Sequence, residues 1–472
     1  MRKLGLASVI FCFIICMGSG IIYLDNLYNY ANQDIPPYIT LDNTDDNFIS
    51  DELATLGRVL FYDKQLSLDN RTSCASCHQQ DAAFGDTDQV STGSFGITGR
   101  HSMRLVNARF SAEERFFWDE RASTLEEQTT MPIQDAIEMG YSGQFGDPDI
   151  NGLIEKMEGI DYYDTLFEFA FGDSFISEER MQLALAQFVR SIQSFDSRYD
   201  SGRMGVTHDS IPFPNFTMEE NRGKRLFLRP VQFGNGGNRI GGGIGCAGCH
   251  NAPEFSISSN SRTNGVILAA NGFDIDEGVN RSPTLRDIFN PVGELNGPLM
   301  HNGLFDDISQ VIEHYNDIET ATGIPNIVVD PRLKNGAFTQ KLNMTEEEKS
   351  SVIAFLKTLT GIDVYTNEKW SDPFDDNGDI EVLLTSTSTQ DLSSSQFVFS
   401  PNPVVDHIRM SDLNNVSRID IININGQVMM SVDTDRRTEL DIDVSNFENS
   451  VYVIRGVDKN HDQISSQKFV KL

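Results

Sequence analysis

Apolar residues recur at helical spacing in four stretches of the chain. The first runs from Glu52 to Phe61. The second comprises Met181, Leu185, Phe188, Val189 and Ile192; Ser177 is placed to cap it, with Glu178 and Glu179 in its first turn. In the third, residues 306–316, Ile308, Val311, Ile312 and Tyr315 share one inward face, which turns His314 away from it. The fourth opens with a capping box, Thr345 to Glu348, and continues through Val352, Phe355, Leu356 and Leu359. Gly361 is expected to end it. A glycine-rich stretch from Gly234 to Gly245 reads as a loop, not a phosphate cradle, because no strand-to-helix pattern or P-loop lysine accompanies it. Residues 385–396 are a polar linker, and beyond them the period changes. Phe397-Val398-Phe399, Ile419 to Ile424 and Val451 to Ile454 are short β-type runs between Asn-Gly and Asp-rich turns. They predict a small β-sandwich without catalytic residues.

The amino terminus carries a different pattern. Arg2 and Lys3 precede an apolar run from Leu4 to Cys16, and Gly18-Ser19-Gly20 supplies small residues for cleavage. Residues 1–24 therefore read as an export signal. Left uncleaved, the run to Leu24 is long enough for a membrane anchor. Lipid modification at Cys16 is disfavoured by the bulky Ile14-Ile15 before it. The whole chain has 472 residues, 39% of them hydrophobic, and a net charge of −32. That composition excludes wholesale disorder. The charge repels phosphate backbones, which argues against nucleic acid and favours a cationic partner.

Outside the leader four cysteines remain, and each belongs to a C-x-x-C-H motif. Cys74-Ala75-Ser76-Cys77-His78 is one; Cys246-Ala247-Gly248-Cys249-His250 is the other. This spacing lets two thiols add to the two vinyl groups on one edge of a porphyrin, while the adjacent histidine binds iron. A shared zinc site would need the two pairs far closer in sequence, and a redox disulfide leaves both histidines unexplained. Two covalent haem c groups are expected. The element Gly57-Arg58-Val59-Leu60-Phe61 before the first motif reappears as Gly223-Lys224-Arg225-Leu226-Phe227 before the second, which suggests two related haem domains.

These motifs, with Phe116-Phe117-Trp118-Asp119-Glu120-Arg121-Ala122, Leu125-Glu126-Glu127-Gln128, Glu138-Met139-Gly140 and Met300-His301-Asn302-Gly303, make residues 50–375 resemble the bacterial di-haem cytochrome c peroxidase family, MauG-like enzymes included. The resemblance implies a mainly α protein. It has a peroxidatic haem domain at 45–205, an electron-transfer haem domain at 206–375 and a linker at 376–396. It implies haem attachment at Cys74, Cys77, Cys246 and Cys249, and iron ligation by His78 and His250. Glu138 matches the distal carboxylate that moves the peroxide proton, Gln128 and Phe117 its neighbours, and Trp118 the aromatic residue between the haems. Tyr315 takes the position of the second haem's sixth ligand, with Met300 as runner-up; a tyrosinate there lowers the haem potential. The loop Ser91 to Gly96 lacks the histidine that closes the first iron in many relatives, so an open iron is expected. His101 stands where the family usually has a calcium-binding asparagine. It reads as a pocket residue, a replacement ligand or a satisfied loop histidine. Calcium on the Asn296 and Pro298 carbonyls is thereby in doubt.

The tail resembles the type A sorting domain of the type IX secretion system, over Pro401-Asn402-Pro403, Asn425-Gly426-Gln427 and Lys468 to Leu472. That implies dealings with this secretion machinery and a place at the cell surface or outside the cell, with a periplasmic or membrane-anchored protein as the alternative. The function implied is reduction of hydrogen peroxide to water with electrons from a cytochrome c or small copper protein. Two alternatives stand beside it: MauG-like oxidation of a protein or other bulky donor, and a di-haem electron carrier. The carrier requires Met103, His101, Met131 or Met139 to close the first iron. Trp370 has only a core or surface reading.

Overall fold

The computed structural model describes residues 20–44, 47–257, 261–276, 281–318, 329–383 and, in the tail, 397–401, 404–411, 413, 416–423, 428–434, 437–457, 459 and 463–471. Most of the expected leader, the linker from residue 384 onward and the Asn425-Gly426-Gln427 turn lie outside the described residues. The chain divides into two compact units, residues 1–384 and 385–472.

Two helix crossings organise the first unit. The Asp51–Tyr62 helix starts at Ser50, whose side chain accepts from Leu53 N, and crosses the Glu178–Ser191 helix, capped by Ser177 as expected. The Met218–Leu228 helix starts with a Thr217–Glu220 capping box and crosses the Glu346–Leu356 helix, which starts with the Thr345–Glu348 box. The repeated glycine sits at each crossing. A Cβ on Gly57 would lie 2.0 Å from the Ala184 carbonyl oxygen; one on Gly223 would lie 1.8 Å from that of Ser351. Only glycine lets the backbones approach so closely. The repeated phenylalanine follows: Phe61 meets Phe188 with ring centroids 5.2 Å apart, and Phe227 meets Phe355 at 5.3 Å. Each pair belongs to a separate hydrophobic core.

Several expectations change at the elements' edges. The fourth helix ends at Leu356 and tightens into a 3₁₀ turn over Lys357–Leu359, so Gly361 is not its terminator. Gly361 instead fits close quarters, where a Cβ would lie 2.3 Å from Asp196 Oδ1. The glycine-rich stretch is not wholly loop: Val231–Phe233 pairs with Arg239–Gly242 as a hairpin. The end of the expected leader and the start of the expected linker are both folded. Ile21–Tyr23 and Glu381–Leu383 pair as parallel strands, and Ile22 and Leu24 are buried in the first core. Alternate burial of these side chains against the body outweighs their leader-like apolar character. His314 is buried, not turned outward; its Nε2 lies 2.9 Å from the Asn264 carbonyl.

Among the described residues the second unit holds two antiparallel sheets. One orders Leu440–Asp443, His407–Ser411 and Val398–Ser400; the other orders Val428–Asp433, Arg418–Asn423, Val451–Val457 and Gln463–Val470. Ile408, Met410, Ile419, Ile421, Ile442 and Phe469 from both sheets form one core. Among the described residues no helix is long and apolar enough to cross a membrane.

Candidate active site

The first C-x-x-C-H motif makes one helical turn, Cys74–Cys77, in which Ser73 N donates to Ser76 Oγ at 3.0 Å. His78 follows, and its Nδ1 lies 3.2 Å from the Phe84 carbonyl. Ala83 and Phe84 both have left-handed backbone, φ +54° and +57°. With that carbonyl as acceptor, Nδ1 carries the proton and Nε2 keeps its lone pair for a metal. Cys74, Cys77 and His78 line a cavity of about 510 Å³.

Gln128, on the Leu125–Thr130 helix, and Glu138 line the same cavity. The Glu138 backbone is pinned: its N–H donates to Asp135 Oδ1 at 3.0 Å, and its carbonyl accepts from Ser94 N at 2.8 Å. Burial, helped by the Asp135 charge and opposed by Arg121, pushes its carboxyl up to about 7. Phe117 also lines the cavity, in left-handed backbone at φ +68°, with the Arg121 guanidinium 3.5 Å from its ring centre. A non-glycine residue held in that region marks a site over-determined by its surroundings.

His101, Met103 and Met139 face this cavity as well, whereas Met131 does not line it. His101 is buried, and its Nδ1 lies 3.1 Å from the Asp88 carbonyl and 3.2 Å from that of Gln89. It is therefore both a pocket residue and a satisfied loop histidine. Asn296 and Pro298 line neither cavity. The Asn296 side chain donates to the Asp287 carbonyl and to Tyr365 Oη, both at 2.7 Å. Among the described residues no group of three or more His, Cys, Asp or Glu is arranged to hold a metal ion.

The second motif is built differently. Gly245, at φ +79°, leads into a 3₁₀ turn over Cys246–Gly248, and His250 begins a two-residue strand. Cys246, Cys249 and His250 line a second cavity of about 170 Å³, together with Met300, Tyr315 and Asn264. Asn264 Nδ2 donates to Tyr315 Oη at 2.9 Å and lies 3.4 Å from Met300 Sδ. Burial pushes the Tyr315 phenol up, the Asn264 bond opposing it. It pushes His250 down to about 4. All four cysteines are free.

Trp118 lines both cavities. Its indole N–H donates to the His101 carbonyl at 2.8 Å, and its ring meets His301 edge-on at 6.2 Å. His101 N donates in turn to the His301 carbonyl at 2.8 Å. Trp370, by contrast, is core: it is fully buried, with its N–H on Ser191 Oγ at 3.2 Å.

Residues 51–207 match the family described as di-haem cytochrome c peroxidase, and residues 398–471 match the secretion system C-terminal sorting domain. A crystal structure of a MauG-like protein associated with microbial copper homeostasis is 30% identical, with a TM-score of 0.55. The match covers 72% of this chain and 99% of that one. The chain belongs to the di-haem cytochrome c peroxidase and MauG family. The methylamine utilization protein MauG of Methylophilus methylotrophus is 28% identical over 325 residues, 66% of this chain and 83% of its own. Cytochrome c551 peroxidase of Nitrosomonas europaea is 27% identical over 349 residues, 70% of this chain and 85% of its own. This family member is an oxidoreductase that acts on peroxide, and its tail is a secretion sorting domain.

Membership implies haem c, and the residues fit it. Each cavity wall carries two free thiols and the imidazole that follows them in the motif, His78 in the first and His250 in the second. Two arginines that the sequence did not single out, Arg104 and Arg281, supply buried N–H groups without acceptors among the described residues. Such donors suit a group that brings its own carboxylates. No periodicity or motif marks these arginines in the sequence.

Proposed function

We propose that this protein reduces hydrogen peroxide to water at the first cavity, drawing electrons through the second. Cys74 and Cys77 would tether one haem c and His78 would hold its iron; Cys246, Cys249 and His250 would do the same for the other. Residues 45–205 and 206–375 are then the two haem domains. When bound, haem supplies the electron storage and the iron that peroxide cleavage needs. The chain supplies the proton handling. Glu138 takes the proton of the bound oxygen and returns it to the departing one, a task suited to a carboxyl poised near neutral pH. Gln128 orients the peroxide by hydrogen bonding, and Phe117 shapes the pocket around it. Overall, two protons and two electrons convert one peroxide to two waters.

Trp118 relays electrons, because its ring belongs to both cavity walls. Tyr315, in the second cavity's wall, would supply a further ligand to the second iron. The amide N–H of Asn264 on its oxygen favours the deprotonated phenol a metal requires. Met300 is the competing ligand. The single observation that carries this reading is Glu138: a half-buried carboxyl, raised toward neutrality, in the same cavity as a C-x-x-C-H histidine. The electron donor is a cytochrome c or small copper protein, and the net charge of −32 suits a cationic one. Export by the type IX route places the protein at the cell surface or beyond.

Tyr315 favours a second reading, MauG-like oxidation of a protein or other bulky donor. Peroxide consumption coupled to cytochrome c oxidation supports the first reading; a peroxide-driven chemical change in a protein target without it supports the second. Ferric paramagnetic resonance of the haem-loaded protein tests both against an electron carrier. The expected result is a high-spin signal lost on one equivalent of peroxide. Two low-spin haems indifferent to peroxide would overturn it.

A further inference from the structure

The two cavities have three lining residues in common: Arg104, Trp118 and Arg281. Trp118 is accounted for by its ring. The two arginines are not. Arg281 is buried, yet its Nε and Nη1 have no hydrogen-bond partner among the described residues; Arg104 Nε is in the same position. A guanidinium is never uncharged at ordinary pH, so a buried one with idle donors needs an anion.

The protein groups nearby do not meet that need. Arg281 feels Glu113 and Glu120 and lies over the Phe116 ring, 4.6 Å from its centre, but neither carboxylate hydrogen-bonds to it. Glu120 itself has a buried Oε1 without a partner. Arg104 feels Asp287 and Tyr365 at a distance, and its own charge acts on His101. Asp287 Oδ1 accepts from Gly361 N at 2.8 Å, and its Oδ2, though buried without a partner among the described residues, does not hydrogen-bond to Arg104. The wall thus presents two cations with idle donors and no bonded counter-charge. Haem c carries two propionate carboxylates on the edge away from its two cysteine thioether links, and these are bidentate partners for a guanidinium.

We propose that Arg104 and Arg281, set in the wall shared by both cavities, bind propionate arms of the two haems and set the potentials of both. The inference rests on the haem reading above. It makes the arginines positioning residues, with a defined electrochemical role. Each guanidinium keeps its propionates ionised and holds a positive charge beside both redox centres, which raises both potentials.

The test uses the haem-loaded full chain and the variants Arg104→Gln, Arg281→Gln and Arg281→Lys. Haem content is measured first, by the pyridine haemochrome; fewer than two haems c in the unaltered protein would sink the haem reading itself, not this proposal. Spectroelectrochemical titration then follows both midpoint potentials from pH 5 to 8. In each Gln variant both potentials are expected to fall together. A proton-coupled slope absent from the unaltered protein should appear, because freed propionates take up protons in that range. The Lys variant keeps the charge and loses the fork. Its potentials should stay near the original, while the propionate carboxylate band in redox-difference infrared spectra, assigned with ¹³C-labelled propionates, shifts. Unmoved potentials and slopes in the Gln variants overturn the proposal. So does an unmoved propionate band in the Lys variant, which decides the question if the Gln variants fail to fold.

Discussion

The two C-x-x-C-H regions share a frame and differ in what they put inside it. Gly57 and Gly223 bring paired helices into backbone contact, and Phe61 and Phe227 pack against Phe188 and Phe355 at nearly equal distances. Beyond the frame the regions diverge. The first cavity, about 510 Å³, is met by a carboxyl without a side-chain hydrogen bond among the described residues, and by an amide. The second, about 170 Å³, is met by a phenol and a thioether that share one asparagine. A helix crossing sets where a cofactor sits. The loops that follow decide which side chains line each cavity. Chemistry can therefore change in one half without disturbing the packing that both halves need.

The largest expected effect comes from removing the first region's distinguishing group. Glu138→Gln should slow the reaction with peroxide by about 10²–10⁴-fold with two haems retained, measured by stopped-flow absorbance. If the rate survives, the carboxyl is not what separates the two regions. In the unaltered protein that rate should climb as pH rises through about 7, because only the deprotonated carboxylate accepts a proton. It should level off above that range; a rate flat from pH 5 to 9 would remove Glu138 as the base. The same raised value has the opposite sign for stability. The folded state holds the Glu138 proton more tightly than the unfolded chain, so this group's contribution falls as pH rises from the ordinary carboxylate range through about 7.

The shared frame is tested next. Gly57→Ala and Gly223→Ala should each cost about 1–3 kcal/mol, seen as a lower Tm, because the added methyl meets a carbonyl that cannot move alone. Equal losses would support a common frame; tolerance at one site would mean that only one crossing needs glycine. A subtler change is expected from Tyr315→Phe. The low-spin resonance of the second haem should shift while the first keeps its response to peroxide. Unchanged spectra would point to Met300. The smallest effect belongs to the tail: protein lacking residues 385–472 should turn over peroxide at the original rate in a steady-state assay.

Much of this was readable in the chain. Ser177 and Thr345 start helices where expected, because capping depends on neighbours in sequence. The haem motifs are equally local. The repeated glycine and phenylalanine were visible too, but not their reason, which is a contact with residues more than a hundred positions away. Gly361 and His314 were misread for the same cause. A glycine after a helix resembles a terminator until Asp196 and Ser194 arrive beside it. A histidine off the apolar stripe resembles a surface residue until the Asn264 segment covers it. Arg104 and Arg281 left no trace, since a lone arginine has no pattern and only the folded walls show its idle donors.

The parallel pairing of Ile21–Tyr23 with Glu381–Leu383 bears on the order in which the first unit folds. A chain that emerges amino end first presents one strand at the start and its partner some 360 residues later. Contacts of such long sequence separation close late. The first unit stays unsealed along this seam until nearly all of it is present.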